Sequence, residues 1–193
     1  MKFIFLLSFC VVLLSISKSE AQTQYKLERE IGISEENVPE KALLTISGID
    51  FSNAKKHWYK EWSLTAISYE LKVKIDNKKF SIEFDSLGNL EDIERSVKFT
   101  MLPSGPKEKI INYLEKNFKK FKIQKSDLQW LGLNVTSQQI ISADNIAIDN
   151  FELIIKANKN GKFSQFELLF DSAGNFKNEK EIIHQINNDN LEY

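Results

Sequence analysis

The chain has 193 residues, with 26 basic and 27 acidic side chains and a formal net charge of −1, so no strong field of either sign draws it to nucleic acid. One cysteine and two histidines leave little material for thiol chemistry, disulfide stapling or a histidine-rich metal site. The basic run from Lys116 to Lys125 reads as the solvated face and exit of a helix.

The first residues read as an export signal. Lys2 supplies a positive start, Phe3 to Ile16 is apolar apart from serines, and Ser19 and Ala21 are small residues ahead of a cleavage point. Cleavage after Ala21 would leave Gln22 first, with no integral membrane segment after it. Cys10 lies inside the apolar run, behind the bulky Phe9, and is not placed for lipid attachment. The mature chain then has no cysteine, and its stability in an oxidising compartment must come from packing.

Residues 22–33 are polar and mixed, a short lead-in with one strand at most. Asn37, Pro39 and Glu40 predict a capped helix start. Val38, Ala42, Leu43 and Ile46 form one apolar stripe, and the helix should close by about Ala54. Lys55 to Trp62 is an aromatic-rich strand. Tyr69, Leu71, Val73 and Ile75 alternate with Ser68, Glu70, Lys72 and Lys74, which gives a strand with one apolar and one wet face. Asp76-Asn77 turns the chain, and Phe80, Ile82 and Phe84 continue the alternation toward a second turn and a strand from Leu90 to Ile93.

The pattern then restarts. Ser104 and Pro106 open a second helix with Ile110, Ile111, Leu114, Phe118 and Phe121 on one face. A strand follows from Lys122, with Trp130 in it, and residues 135–149 read as an insertion. Phe151, Leu153, Ile155 and Ala157 alternate with Glu152, Ile154 and Lys156. Asn158 to Gly161 is a hairpin turn, and Phe166, Leu168 and Phe170 lie on the next strand. Glu179 to Asn187 reads as a short terminal helix, and the end should fray.

Two stretches match. Phe80 to Leu90 reads F-S-I-E-F-D-S-L-G-N-L, and Phe166 to Phe176 reads F-E-L-L-F-D-S-A-G-N-F. Asp85 and Asp171 are placed to accept hydrogen bonds from backbone N–H groups further along the turn, and Gly88 and Gly174 supply a positive φ. The alternating oxygen ligands and closing Glu of a calcium loop are missing, so each is read as a hairpin turn.

Val38-Pro39, Phe51-Ser52-Asn53-Ala54, Trp58-Tyr59-Lys60-Glu61, Tyr69-Glu70-Leu71 and the F-D-S-L-G-N-L turn together resemble the PepSY-like family of exported proteins. The second half fits from Leu102-Pro103 and again from Phe151 to Phe176. The resemblance implies an α+β fold of two tandem helix-plus-antiparallel-sheet units, residues 34–100 and 101–180, followed by a tail over 181–193. In that architecture, similar to the two-domain beta-lactamase inhibitor proteins, helices cover one sheet face and the other face is open. Such families act by binding proteins or peptides. The inhibitor proteins carry disulfides, which this chain lacks.

No nucleophile–base or metal-binding motif such as G-x-S-x-G or H-E-x-x-H occurs, and His57 and His184 are far apart in sequence. The expectation is therefore a periplasmic or extracellular, non-enzymatic protein with no catalytic, metal or cofactor-binding residues. Its partner would be an exported or envelope protein or peptide, held on the open sheet face. The alternative is an envelope structural or small-ligand-binding protein. Trp58, Tyr59 and Trp62 on the first aromatic strand, together with Trp130, are the candidate contact residues, because Trp and Tyr bury large area at low entropy cost.

Overall fold

A computed structural model describes residues 24–63, 65–132, 139, 141, 146–159 and 161–184. The stretch read as an export signal, most of residues 135–149 read as an insertion, and the last nine residues lie outside them. Nine strands form one sheet that closes on itself: β1 (Gln24–Ile33), β2 (Lys56–Trp62), β3 (Ile67–Ile75), β4 (Lys78–Asp85), β5 (Leu90–Ser96), β6 (Lys120–Leu131), β7 (Asn150–Lys159), β8 (Lys162–Asp171) and β9 (Phe176–His184). Successive strands pair antiparallel, and the seam is a parallel pairing of β1 with β9. The helices α1 (Glu40–Ile46) and α2 (Ser104–Asn117) lie outside the barrel.

Alternation decides which side chains go where. The apolar positions of β3, β4, β7 and β8 point outward under the helices. Leu71, Ile82, Phe84, Leu153, Ile155, Leu168 and Phe170 are completely buried there, against Ala42 and Ile46 of α1 and Ile110 and Leu114 of α2. Each such side chain contributes about 1.5–3 kcal/mol through burial. The core is thus wrapped around the outside of the barrel, and the intervening polar positions of the same strands face its interior.

This corrects the expected fold. Two tandem units with an open sheet face are not present. Instead β5 pairs directly with β6, placing Ile93 opposite Trp130, so the two halves share one continuous sheet. The sheet twists until its first and last strands meet, and closure removes both free edges. The face expected to be open is the lumen wall.

Two local expectations also change. The segment from Glu179 is no helix: Phe176–His184 is a strand, with Asn178, Lys180 and Ile182 opposite Leu169, Glu167 and Gln165 of β8. The first helix is shorter than expected, ending at Ile46, and Pro39 stands at its cap with no side-chain cap bond. Asn37 sits instead in a single 3-10 turn, where its amide donates to Ser34 Oγ at 2.9 Å.

The matched turns are alike in detail. Asp85 Oδ1 accepts from the N–H groups of Leu87 and Asn89, each at 2.8 Å, and Asp171 Oδ1 from those of Ala173 and Asn175 at 3.0 and 2.8 Å. Gly88 has φ +80° and Gly174 φ +81°. Each turn abuts the start of a helix: a Cβ on Gly88 would lie 2.8 Å from Ala42 N, and one on Gly174 2.5 Å from the Pro106 carbonyl oxygen. Lys41 reaches back to Asn89 Oδ1, and Lys109 to Asn175 Oδ1.

Candidate functional site

The lumen holds two adjoining cavities, each open to solvent. One, about 1060 Å³, has a rim that includes His57, Lys74, Phe80 and Phe99; the other, about 820 Å³, is walled mainly by charged side chains. Glu70, Lys72, Glu94 and Lys125 line both, so the two cavities adjoin at these side chains. A barrel of eight strands is about wide enough to be filled by its own side chains or to hold one small ligand, and nine strands give slightly more room.

Every strand sends charge inward. The register sets Glu70 of β3 opposite Glu83 of β4, and Glu83 opposite Asp92 of β5, so three carboxylates lie in one row. Asp127 of β6 stands opposite Glu152 of β7, and Glu30 of β1 opposite Glu61 of β2. Glu167 of β8 faces Lys180 of β9. In two places the carboxylates cluster in threes, with oxygens within 4.8 Å of one another: Glu30, Glu61 and Glu70, and Glu94, Asp127 and Glu152.

A lysine ammonium sits at each concentration of charge. Lys72 Nζ is 2.8 Å from Glu30 and 2.9 Å from Glu70. Lys125 Nζ is 3.0 Å from Asp127 and 3.4 Å from Glu94. Lys26 of β1 and Lys180 of β9 both pair with Glu167, the latter at 3.2 Å. Burial alone would lower the Lys26 pKa, but Glu167, Glu152 and Glu83 raise it well above the ordinary lysine value.

The carboxyls outnumber these ammonium groups, and the surplus is held protonated. Burial, together with the neighbouring carboxylates, pushes Glu83 up to about 8 and Asp92 up to about 9. Glu61 is raised to about 9 by burial and by its hydrogen bond to Glu70. Burial also raises Glu152 well above its ordinary value, with Glu94 and Glu167 adding to the effect. Glu70 moves the other way: burial opposes ionisation, but hydrogen bonds from Glu61 and Ser81 and the charge of Lys72 outweigh it. Among the described residues three buried carboxylate oxygens lack a hydrogen-bond partner: Glu70 Oε2 and Asp127 Oδ2, which still face the Lys72 and Lys125 ammonium groups, and Asp92 Oδ1. Asp92 Oδ2 accepts from Gln129 Nε2 at 3.0 Å, while its Oδ1 is buried without a hydrogen-bond partner.

The four aromatic candidates do not converge. Trp58 and Trp130 are 4% and 3% exposed, packed in the core outside the barrel. Trp58 lies 5.9 Å from the Phe84 ring, and Trp130 donates to Ile146 O at 3.4 Å. Trp62 is half-buried on the outer surface, with Arg29 and Lys60 each 5.4 Å from its ring centre. Tyr59 lies on the opposite face of β2, alongside Glu61, with Lys72 Nζ 4.5 Å from its ring centre. The inward carboxylates were not singled out from sequence. Their signal is an acid at alternate positions in strand after strand, which reads equally well as a solvated face until the sheet is known to close.

No family model matches the chain, and no curated protein does. Solved structures do. A DUF2874 family protein from Bacteroides ovatus superposes with a TM-score of 0.50 at 10% identity, covering 75% of this chain and 88% of that one. The likeness is one of fold. A BLIP-like protein from Bacteroides fragilis gives 0.44 at 13% identity, over 81% and 92% of the two chains. A Bacteroides eggerthii protein whose name calls it periplasmic gives 0.48 at 10%, over 75% and 88%. Among the described residues, no helix is long and apolar enough to cross a membrane.

Proposed function

We propose that this is an exported, non-enzymatic binding protein that holds a small polar ligand inside its barrel. The observation that carries this reading is the lumen itself: two adjoining cavities whose walls are charged side chains while the hydrophobic core lies outside. Placing this many carboxyls in an enclosed space is costly, because a buried charge must be paired or neutralised. A fold that only needed stability would place apolar side chains there. The leader-like N-terminus and the periplasmic names of structural neighbours support export. Native mass spectrometry of protein recovered from the producing cell's envelope or medium tests the reading. A small molecule retained by wild type and lost on plugging the lumen with Ile154→Trp is expected; retention by the plugged variant would overturn it.

A second reading rests on the outer surface. Trp62, bracketed by Arg29 and Lys60 and flanked by the exposed Ile31 and Ile67, offers an aromatic, cationic patch to a protein or peptide partner. Pull-down with wild type and Trp62→Ala tests it, and equal recovery of partners would overturn it.

A further inference from the structure

We infer that the ligand class of the lumen is a linear aliphatic di- or polyamine, lying along the two adjoining cavities with its ammonium groups on the inward carboxylates. This rests on the small-ligand reading above and specifies its chemistry.

Three observations carry it. First, the protein already fills this lumen with the chemistry in question: Lys26, Lys72 and Lys125 are alkylammonium chains whose heads rest on Glu167, on Glu30 and Glu70, and on Asp127 and Glu94. Each three-carboxylate cluster thus already has an ammonium on its oxygens, which leaves the carboxyls outside the clusters for a ligand. Second, carboxyls beyond those served by lysine remain. The row Glu70–Glu83–Asp92 runs across three neighbouring strands, and of these only Glu70 has an ion pair among the described residues. Asp92 Oδ1 in that row has no hydrogen-bond partner, and once the carboxyl gives up its proton an incoming N–H would satisfy it. Third, the two cavities adjoin at Glu70, Lys72, Glu94 and Lys125, and Ile154 and Leu169 give aliphatic wall between the charges. Methylene segments alternating with ammonium groups match such a wall; a compact anion or a sugar does not. The protonated surplus carboxyls provide the exchange: each ammonium that binds one displaces a proton to solvent.

Isothermal titration of the exported protein with spermidine, putrescine, butylamine, magnesium and calcium tests this. Spermidine is expected to bind at least tenfold tighter than butylamine. The heat should depend on the ionisation enthalpy of the buffer, and affinity should rise from pH 6 to pH 9. Asp92→Asn and Glu83→Gln, which keep the side-chain shape, are each expected to weaken spermidine about tenfold, a loss of ~1.4 kcal/mol. Equal binding of butylamine and spermidine, preference for either metal ion, or unaltered binding by both variants would overturn the inference. If spermidine fails to bind while native mass spectrometry finds another lumen-retained molecule, the amine assignment falls and the small-ligand reading stands. If nothing is retained, both fall.

Discussion

Lys26 on β1 is ion-paired with Glu167 on β8, reaching past β9 across the seam of the barrel. Closure therefore rests on a side-chain contact inside the lumen as well as on the backbone ladder. Lys26→Met is expected to cost about 1–3 kcal/mol, less than the ~3–5 kcal/mol of breaking a fully buried pair, because Lys180 still faces Glu167 and Lys26 is partly exposed. Urea unfolding measures the loss. A double-mutant cycle with Glu167→Gln should return a coupling energy, and additive losses would show that the pair does not hold the seam.

Stability should fall as the medium becomes alkaline. Glu83 and Asp92 have folded values of about 8 and about 9, above their ordinary 4.5 and 3.8. An acid raised by folding binds its proton more tightly in the folded state. Its contribution is complete below the ordinary value and is lost as pH rises through the folded one. The melting temperature is therefore expected to decline between about pH 5 and pH 9, and the double variant Glu83→Gln, Asp92→Asn should flatten the decline. A flat wild-type profile over that range would show that these carboxyls ionise freely in the fold.

The two matched turns should respond to alanine more severely than an unpacked turn. Gly161 also has a positive φ, of +84°, but a Cβ there meets nothing within 4 Å. Gly161→Ala should cost about 1 kcal/mol from the left-handed backbone alone. Gly174→Ala adds a collision with the Pro106 carbonyl and is expected to cost about 2–4 kcal/mol, as is Gly88→Ala against Ala42 N. Thermal denaturation of the three variants checks the order.

The tryptophans should separate by location. Trp58→Ala and Trp130→Ala remove fully packed indoles and are each expected to cost about 3–5 kcal/mol. Trp62→Ala, half-exposed and held by two cation–π contacts, should cost about 1 kcal/mol. Chemical denaturation measures the losses, and acrylamide quenching of wild type and Trp62→Phe should show that the accessible fluorescence belongs to Trp62.

Much of the strand layout was legible from residue type. Tyr69 to Ile75 and Phe151 to Ala157 carry a period-2 pattern that packing preserves, and Asp76-Asn77 makes the expected turn, which the structure shows to be left-handed, with φ of 48° and 64°. The helix from Ser104 announced itself through Ile110 and Leu114. Pairing across the middle was not legible, because nothing in Ile93 or Trp130 says that they face each other; that is set by twist accumulated over the whole sheet. The same holds for β9. Asn178, Lys180 and Ile182 alternate weakly among charged residues, and the segment resembles a polar helix until β1 and β8 claim its two edges. Enclosure of the carboxylates was hidden for that reason, since a polar strand face becomes a lumen only by closure.

The parallel seam has a consequence for how the molecule comes into being. Lys26 and Glu167 are 141 residues apart, so the final pairing waits for nearly the whole chain to be available. Loop-closure entropy for so distant a contact is large, and folding dominated by such contacts is slow. Until β9 arrives, β1 presents a bare strand edge, the kind of surface that recruits stray chains. Because β1 is made first and β9 last, this interval is built into the order of synthesis. Folding should therefore be more sensitive to chain concentration and to chaperones than the final stability suggests.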